Sequence, residues 1–276
     1  MRFERIVLDE QDENVYLDAY VADHIDGYKR KAILIIPGGG YIMVCSDREG
    51  EPIAHEFLSR GYNAFVLHYS VGERDNEFPK QLIEASKAMK HIKDNKEEYD
   101  LDDTGVFAIG FSAGGHLAGC LGILWDNPQV YKAIDMPKGY NRPDGVMLIY
   151  PVVSSDKDIA HVLSFNRLLG CENPPKDRLL EVSLEKHVNE SSSPAFILHT
   201  FNDQTVPVKN SLCLANAYVD AGVPCELHIY PDAPHGVALS NDITACGLKK
   251  LADTSIAKWV DNAVYWANNL NKKDEE

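Results

Sequence analysis

VFAIGFSAGGHLA, the stretch from residue 106 to residue 118, joins a short apolar run to a segment rich in glycine and alanine. The apolar run is typical of a strand, and the small residues after it are typical of a closely packed helix. Between them, GFSAG at 110–114 has the spacing of a tight strand-to-helix turn that exposes a serine, here Ser112. In so tight a turn, a side chain at Gly110 or Gly114 would collide with neighbouring backbone. The stretch therefore predicts that the Ser112 hydroxyl projects above the carboxyl end of a buried strand.

Apolar runs of strand length recur on both sides of this stretch. They lie at residues 32–36, 64–68, 146–150, 195–199 and 226–230. Their nearly continuous hydrophobicity indicates strands that are covered on both faces. Helical patterns lie between them, such as the apolar stripe from 82 to 92 and the segment 210–221, which ends before Gly222. This alternation predicts a mainly parallel sheet between two helical layers, that is, a three-layer α/β/α sandwich.

The two ends of the chain and one long connection complete this prediction. Runs at 3–8 and 15–21 have no helix between them, so we expect an antiparallel hairpin at the sheet edge and an eight-stranded sheet. Residues 151–194 separate two strands and carry helix-like fragments, which predicts a small lid-like insertion in a single domain over 1–276. The charged end, 272–276, is expected to be a solvated tail.

Composition excludes several classes of partner. The 276 residues carry 27 basic and 42 acidic side chains, and the formal net charge of -15 repels phosphate backbones and anionic lipid surfaces. We therefore expect no nucleic-acid partner and no membrane partner. No apolar run approaches the ~20 residues that span a bilayer, and the acidic N-terminal stretch does not resemble a secretory signal, so a cytoplasmic location is expected. The six cysteines lack metal-ligand spacing, which predicts reduced, mostly buried thiols and neither a metal nor a cofactor.

A serine hydroxyl is a poor nucleophile and needs a base, which a carboxylate must hold in the right tautomer. In α/β-hydrolases the acid and then the histidine follow the serine, each on a loop after a later strand. His235 lies in such a loop, after the last predicted strand and between a proline and a glycine. Asp203 follows the strand at 195–199, and Asp232, which precedes the histidine in its own loop, is the alternative acid. We therefore predict Ser112, Asp203 and His235 as the catalytic triad.

Four other histidines are assigned structural roles. His68, His199 and His228 fall inside strand-like runs, where a buried imidazole bonded to backbone is expected. His116, four residues after Ser112, is expected to pack on its own helix.

Acyl transfer also needs hydrogen-bond donors for the oxyanion that develops on the substrate. PGGGY at 37–41 follows the strand at 32–36 and resembles a glycine loop whose backbone N–H groups point at that oxygen. We predict Gly39, Gly40 and Ala113 as the donors, the alternative being a mere flexible turn. SDRE at 46–49 matches a helix capping box, with Ser46 as the cap and Glu49 reaching back to it, and is assigned a structural role.

With these residues in place, the chain resembles the small bacterial esterases of the α/β-hydrolase superfamily that are related to acetylxylan and feruloyl esterases, a group also called xylanase-like. The motifs that carry the resemblance are PGGGY at 37–41, SDREGEP at 46–52, FVLHYSV at 65–71, GFSAGGHLA at 110–118, SFNRLLG at 164–170, NDQTVPV at 202–208 and ELHIYPDAPHG at 226–236. The resemblance spans nearly the whole chain. It implies removal of acetyl or other short acyl groups from sugars or related alcohols by the same triad.

Three functions stay open on the sequence alone. The first is a metal-free carboxylic ester hydrolase that acts on a small-molecule ester. The second is an amide hydrolase similar to kynurenine formamidases, against which Tyr41 argues, since the glycine loop of those enzymes typically ends in tryptophan. The third is an inactive ligand-binding homologue, against which the intact Ser112, Asp203 and His235 argue.

Overall fold

The computed structural model describes residues 1–72 and 77–270, apart from the side chain of Thr104. Its strands are β1 Arg2–Val7, β2 Tyr16–Val21, β3 Arg30–Ile36, β4 Tyr62–His68, β5 Leu101–Phe111, β6 Val146–Ile149, β7 Ala195–Thr200 and β8 Cys225–Tyr230. They form one eight-stranded sheet in the order β1-β2-β4-β3-β5-β6-β7-β8. The pairs from β4 to β8 along this order are parallel, whereas β1 pairs antiparallel with β2, and β2 pairs antiparallel with β4.

Helices cover both faces of the sheet. They are α1 Ser46–Glu49, α2 Glu51–Leu58, α3 Lys80–Asp94, α4 Ala113–Ile123, α5 Pro128–Ala133, α6 Val162–Leu168, α7 Lys176–Glu181, α8 Lys209–Asp220 and α9 Trp259–Asn269. One hydrophobic core joins the sheet to α3, α4 and α8, and a second core joins it to α2 and α9. Strand β5 contributes side chains to both cores, since Ala108 belongs to the first core and its neighbours Phe107 and Ile109 belong to the second.

These layers confirm the predicted α/β/α sandwich with a mainly parallel eight-stranded sheet. The N-terminal hairpin is confirmed as well, with Arg2 opposite Val21 and Val7 opposite Tyr16 at the sheet edge. The prediction that most thiols are buried is wrong: all six cysteines are free, but only Cys120 is buried, whereas three are partly exposed and Cys171 and Cys246 are exposed. The solvated tail predicted at 272–276 lies outside the described residues.

No helix within residues 1–72 and 77–270 has both the length and the apolar character needed to cross a membrane. The longest of them, α3, has 15 residues.

The order of the strands determines where functional side chains can meet. Strands β5, β6, β7 and β8 are parallel neighbours, so their carboxyl ends lie at one edge of the sheet. Adjacent strands are ~4.8 Å apart, so a side chain after β8 starts roughly 14 Å from the end of β5. The loop after β8 must therefore extend back over β7 and β6 to reach the serine at the end of β5.

Candidate active site

Ser112 occupies the turn between β5 and α4. Its backbone has φ 54° and ψ -117°, a strained conformation for a residue with a side chain, and its residual exposure is 9 %. The flanking glycines are required: a β-carbon on Gly110 would lie 2.1 Å from the carbonyl oxygen of Gly114, and one on Gly114 would lie 2.1 Å from the oxygen of Ile36. The turn is thus closed tightly against β3, which fixes the position of the serine hydroxyl.

Hydrogen bonds bring the three predicted triad residues together. Nε2 of His235 lies 2.8 Å from Oγ of Ser112, and Nδ1 of His235 lies 2.6 Å from Oδ2 of Asp203. The other carboxylate oxygen, Oδ1, accepts the backbone N–H groups of Thr205 and Val206, each at 2.9 Å. Asp203 is thereby fixed by its own loop and aims its free oxygen at the imidazole.

The surroundings of Asp203 keep its carboxyl ionised. Burial alone would raise its pKa, but the nearby imidazoles of His199 and His235 and the backbone N–H of Val206 outweigh burial and hold the pKa well below its ordinary value. Nε2 of His199 lies 3.5 Å from Oδ2, while the same nitrogen is bonded to the carbonyl oxygen of Val206. A fixed negative charge behind His235 favours the tautomer that accepts a proton from Ser112.

Asp232, the alternative acid in the sequence, has another partner. Its carboxylate accepts a hydrogen bond from the side-chain amide of Asn202 on the surface. That amide group also accepts the backbone N–H of Ala233 through its oxygen, which ties the loop after β7 to the loop after β8. The structure therefore pairs Asp203, and not Asp232, with the imidazole.

The glycine loop after β3 faces the serine. Gly39 has φ 126° and Gly40 has φ 65°, backbone conformations that glycine adopts readily. Within residues 1–72 and 77–270, no oxygen accepts the N–H groups of Gly39 and Gly40, nor that of Ala113 at the start of α4. A β-carbon on Gly38 would lie only 3.0 Å from Cβ of Ser112. The three predicted donors are therefore unengaged and belong to segments that border the hydroxyl.

Side chains from three other elements hold this loop. The hydroxyl of Tyr69 donates to the carbonyl oxygen of Pro37 at 2.9 Å, and the carboxylate of Glu49 accepts the N–H of Gly38 at 2.8 Å. The hydroxyl of Tyr41 bonds Nδ1 of His116 at 2.8 Å. These contacts anchor the loop at its first, second and last residues.

The capping box predicted for residues 46–49 is wrong. Helix α1 begins at Ser46, its cap residue is Cys45, and no side chain caps it. Glu49 does not reach back to Ser46, because its carboxylate is buried and is used by Gly38 and Tyr150. The motif spacing was correct for a cap, but tertiary partners take the carboxylate.

The histidines assigned to structural roles differ in their surroundings. His116 and His199 are fully buried, and each bonds a backbone carbonyl, which agrees with the prediction for His199. His68 is half-buried and stacks on Tyr16, and His228 bonds the side chain of Glu226, so the backbone-bonded role predicted for these two is wrong.

Helix α6, in the insertion 151–194, approaches the glycine loop. Ser164 is buried, and its Oγ lies 2.8 Å from Nδ1 of His161. A β-carbon on Gly40 would lie 3.9 Å from that Oγ and 3.9 Å from Cδ1 of Ile42. Burial lowers the pKa of His161, and the imidazole of His235 lowers it further, so His161 is close enough to feel the triad. The insertion thus forms a wall beside the predicted oxyanion donors.

A protein-family model described as BD-FAE matches residues 17–218. The chain belongs to the BD-FAE family. The matched range contains Ser112, Asp203 and the glycine loop, while His235 lies beyond its end.

Known proteins similar to this BD-FAE member include esterases and a xylanase. The chain is 40% identical to endo-1,4-beta-xylanase B of Butyrivibrio fibrisolvens over 226 residues, which are 79% of this chain and 34% of that protein. It is 30% identical to an acetylxylan esterase of Xylanibacter ruminicola over 209 residues, 75% of this chain and 41% of that protein. The chain therefore spans only about a third to two fifths of these curated relatives. Among solved structures, an acetyl ester-xyloside bifunctional hydrolase from Caldicellulosiruptor lactoaceticus superposes with a TM-score of 0.81 at 31% identity, covering 98% of this chain and 97% of that one.

Sequence reasoning missed two residues of this BD-FAE site, Tyr69 and Tyr150, and it assigned Glu49 the wrong partner. Tyr69 follows β4 directly and Tyr150 follows β6, so both lie at the sheet edge where the triad meets. A polar aromatic residue at the carboxyl end of a buried strand was the signal that could have indicated them.

Proposed function

We propose that the chain is a serine hydrolase of carboxylic esters, and that Ser112, His235 and Asp203 are its catalytic triad. The observation that carries the proposal is the continuous hydrogen-bonded relay from the Ser112 hydroxyl through His235 to a buried, ionised Asp203. Similarity to an acetylxylan esterase and to an acetyl ester-xyloside hydrolase supports an ester as the substrate.

In the first half of the reaction, Nε2 of His235 takes the proton of the Ser112 hydroxyl as Oγ attacks the ester carbonyl. The resulting imidazolium is stabilised by the carboxylate of Asp203, which itself stays unprotonated. The tetrahedral intermediate then collapses, and His235 returns the proton to the departing alcohol oxygen. The acyl group stays on Oγ of Ser112.

In the second half, His235 removes a proton from water, which attacks the acyl-enzyme carbonyl. The second tetrahedral intermediate releases the carboxylic acid, and the proton returns to Oγ of Ser112. Both intermediates place their oxyanion at the same position, so one set of donors serves both steps.

For the oxyanion donors we propose the N–H groups of Gly39, Gly40 and Ala113. Their support is that no described residue accepts these N–H groups and that the Gly38 backbone packs against Ser112. Removal of one such donor costs ~3 kcal/mol in barrier height.

For the substrate we propose short acyl esters of sugars or related alcohols. To the alcohol we assign a cavity of about 410 Å³ that borders His235 and is lined by polar side chains that include Gln204, Thr205, Lys249 and Asp253. Amide, hydroxyl, ammonium and carboxylate groups together suit an alcohol that carries several further hydroxyls.

For the acyl side we propose that the insertion 151–194 acts as a small lid on a single α/β-hydrolase domain. Support comes from α6, which borders the glycine loop: a β-carbon on Gly40 would lie 3.9 Å from Oγ of Ser164. A wall beside the oxyanion donors is expected to favour acetyl over long acyl chains. A cytoplasmic location and the lack of a nucleic-acid partner remain predictions from the sequence.

The proposal is tested with p-nitrophenyl esters of increasing acyl length, an acetylated xylose, and an N-formyl aromatic amide. We expect turnover of the acetate and the acetylated sugar, a fall in kcat/KM from acetate to octanoate, and little hydrolysis of the amide. Ser112→Ala should lose at least about 10³-fold in kcat while its circular dichroism spectrum stays unchanged. Absence of turnover on every ester, or full activity of Ser112→Ala, would overturn the proposal.

A further inference from the structure

Glu49 brings a buried carboxylate directly behind the serine. Its side chain is on α1, is 5 % exposed, and accepts two hydrogen bonds, from the N–H of Gly38 and from the hydroxyl of Tyr150, each at 2.8 Å. A β-carbon on Gly38 would lie 2.7 Å from Oε2 of Glu49 and 3.0 Å from Cβ of Ser112. Only a glycine backbone therefore separates this carboxylate from the nucleophile.

Tyr150 continues the connection to the other side of the site. Its hydroxyl donates to Glu49 and at the same time accepts the backbone N–H of Ala238 at 3.0 Å. Its ring meets the imidazole of His235 edge-on, with ring centroids 5.0 Å apart and an interplanar angle of 68°. Tyr150 thus contacts the catalytic base and fixes the backbone three residues beyond it.

The neighbouring residue in α1 strengthens the same connection. Arg48 donates from its guanidinium to the carbonyl oxygen of Gly236, the residue after His235, and to that of Thr244 at 2.8 Å. The segment 46–49 therefore touches the glycine loop on one side and the histidine loop on the other.

We propose that Glu49 and Tyr150 are positioning residues that hold the glycine loop, 37–41, and the loop that carries His235 at a fixed distance from each other around Ser112. This inference rests on the proposed function. A series of hydrogen bonds joins the two loops without passing through Ser112: it runs from the Gly38 N–H to the Glu49 carboxylate, the Tyr150 hydroxyl and the Ala238 N–H. If this series of hydrogen bonds is interrupted, each loop keeps its own backbone bonds, but the distance between the oxyanion donors and Nε2 of His235 is no longer fixed.

A fixed distance between the two loops matters most in the transition state. The oxyanion donors must meet the carbonyl oxygen at the moment when Nε2 takes the serine proton, and a misplacement of about 1 Å can cost roughly 10²-fold in rate. Ground-state binding of the ester depends on the surrounding walls and is less sensitive to this distance.

The surroundings of Glu49 show that the carboxylate is retained at a cost. Burial raises its pKa, and the hydrogen bonds from Tyr150 and Gly38 offset burial only in part. Burial of a carboxylate costs free energy unless its hydrogen bonds compensate for the lost water. A carboxylate, however, can accept hydrogen bonds from both loops with a fixed geometry.

The test uses Glu49→Gln, Tyr150→Phe and the double variant, assayed for kcat and KM on p-nitrophenyl acetate. We expect each single variant to lose at least roughly tenfold in kcat with KM changed less than about threefold. Both residues belong to one series of hydrogen bonds, so their losses of kcat should not multiply. The kcat of the double variant should be close to that of the slower single variant.

A boronic acid inhibitor, which forms a tetrahedral adduct on Ser112, provides a second readout. Its affinity should fall in parallel with kcat in both single variants, since the adduct needs the donors and the base in register. A merely structural role of Glu49 would lower Tm without this parallel loss.

Glu84→Gln is the matched control. Glu84 is also a buried carboxylate that accepts one backbone N–H and one hydroxyl, both from Ser70, and burial raises its pKa in the same way. This control should lower Tm by a similar amount and leave kcat within about twofold.

Three results would overturn the inference while leaving esterase function intact: an active wild type with unchanged kcat in Glu49→Gln and Tyr150→Phe, equal losses of kcat in Glu84→Gln, or strictly additive losses in the double variant. An inactive wild type would instead overturn the proposed function. If Glu49→Gln does not fold, Tyr150→Phe alone decides, because it keeps the ring and removes only the hydroxyl.

Discussion

The hydroxyl of Tyr41 lies 2.8 Å from Nδ1 of His116, while Nε2 of the same imidazole lies 2.8 Å from the carbonyl oxygen of Val182. The carbonyl can only accept, so Nε2 carries the proton and Nδ1 accepts from the tyrosine. One neutral imidazole therefore joins the glycine loop, the helix that follows Ser112, and the insertion 151–194.

This relationship predicts a loss of stability in acid. Burial lowers the pKa of His116 to about 4, compared with the ordinary 6.5. Between these two pH values the unfolded chain binds more protons than the folded chain, so the free energy of unfolding falls as pH drops through this window. The full shift corresponds to about 3 kcal/mol. Denaturant unfolding of the wild type and of His116→Gln at pH 8, 6, 5 and 4 measures it.

The amide of His116→Gln can supply one acceptor and one donor but does not titrate. We expect the variant to be less stable than the wild type at pH 8 and to lose less stability than the wild type between pH 6.5 and 4. Parallel pH curves for the two proteins would contradict this account.

The pairing of Asp203 with His235 predicts which carboxylate matters for catalysis. Asp203→Asn removes the charge that holds the imidazole and stabilises its protonated form, so kcat on p-nitrophenyl acetate should fall by about 10⁴-fold. Asp232→Asn changes an exposed group whose partner is Asn202, and its kcat should stay within about twofold. Comparable losses in both variants would mean that the acid is shared or misassigned.

The backbone strain at Ser112 predicts how two inactive variants at this position differ in stability. At φ 54° and ψ -117° a residue with a β-carbon is strained, whereas glycine enters this region freely. Ser112→Gly should therefore be at least about 1 kcal/mol more stable than Ser112→Ala, although both are inactive. Urea unfolding of the two variants is the measurement, and equal midpoints would argue that the turn is relaxed.

The packing of Gly114 against β3 predicts that this position tolerates no side chain. Gly114→Ala places a β-carbon 2.1 Å from the carbonyl oxygen of Ile36 and 2.4 Å from that of Pro37, so we expect a loss of about 3 kcal/mol or more. Gly222→Ala is the control for backbone strain without a steric clash: Gly222, unlike Gly114, has a positive φ, of 68°, but a β-carbon there would have no atom within 4 Å. It should cost only about 1 kcal/mol. The idea fails if both variants unfold at the same denaturant concentration.

Much of the fold could be predicted because its signals are local. Continuous apolar runs, the helical stripe of α3 and the missing helix between β1 and β2 each depend on neighbouring residues, and all three predictions agree with the structure. The triad candidates followed from the strand order, because residues that end parallel strands must meet at one edge of the sheet.

The remaining features depend on contacts between residues that are distant in the chain. Glu49 has the spacing of a capping residue, and only the folded chain brings Gly38 and Tyr150 to its carboxylate. Similarly, His68 lies in a strand-like run, but its burial depends on its place between β2 and β3 near one edge of the sheet. No window of sequence contains such information.

The hydrogen bond between Ser112 and His235 joins positions 123 residues apart. Every strand from β5 to β8 must be in place before these two atoms meet, so collapsed chains with most of their secondary structure would still turn over no substrate. In a refolding experiment, recovery of catalysis should consequently lag behind recovery of the circular dichroism signal, and the enzyme assay would time the last event of folding.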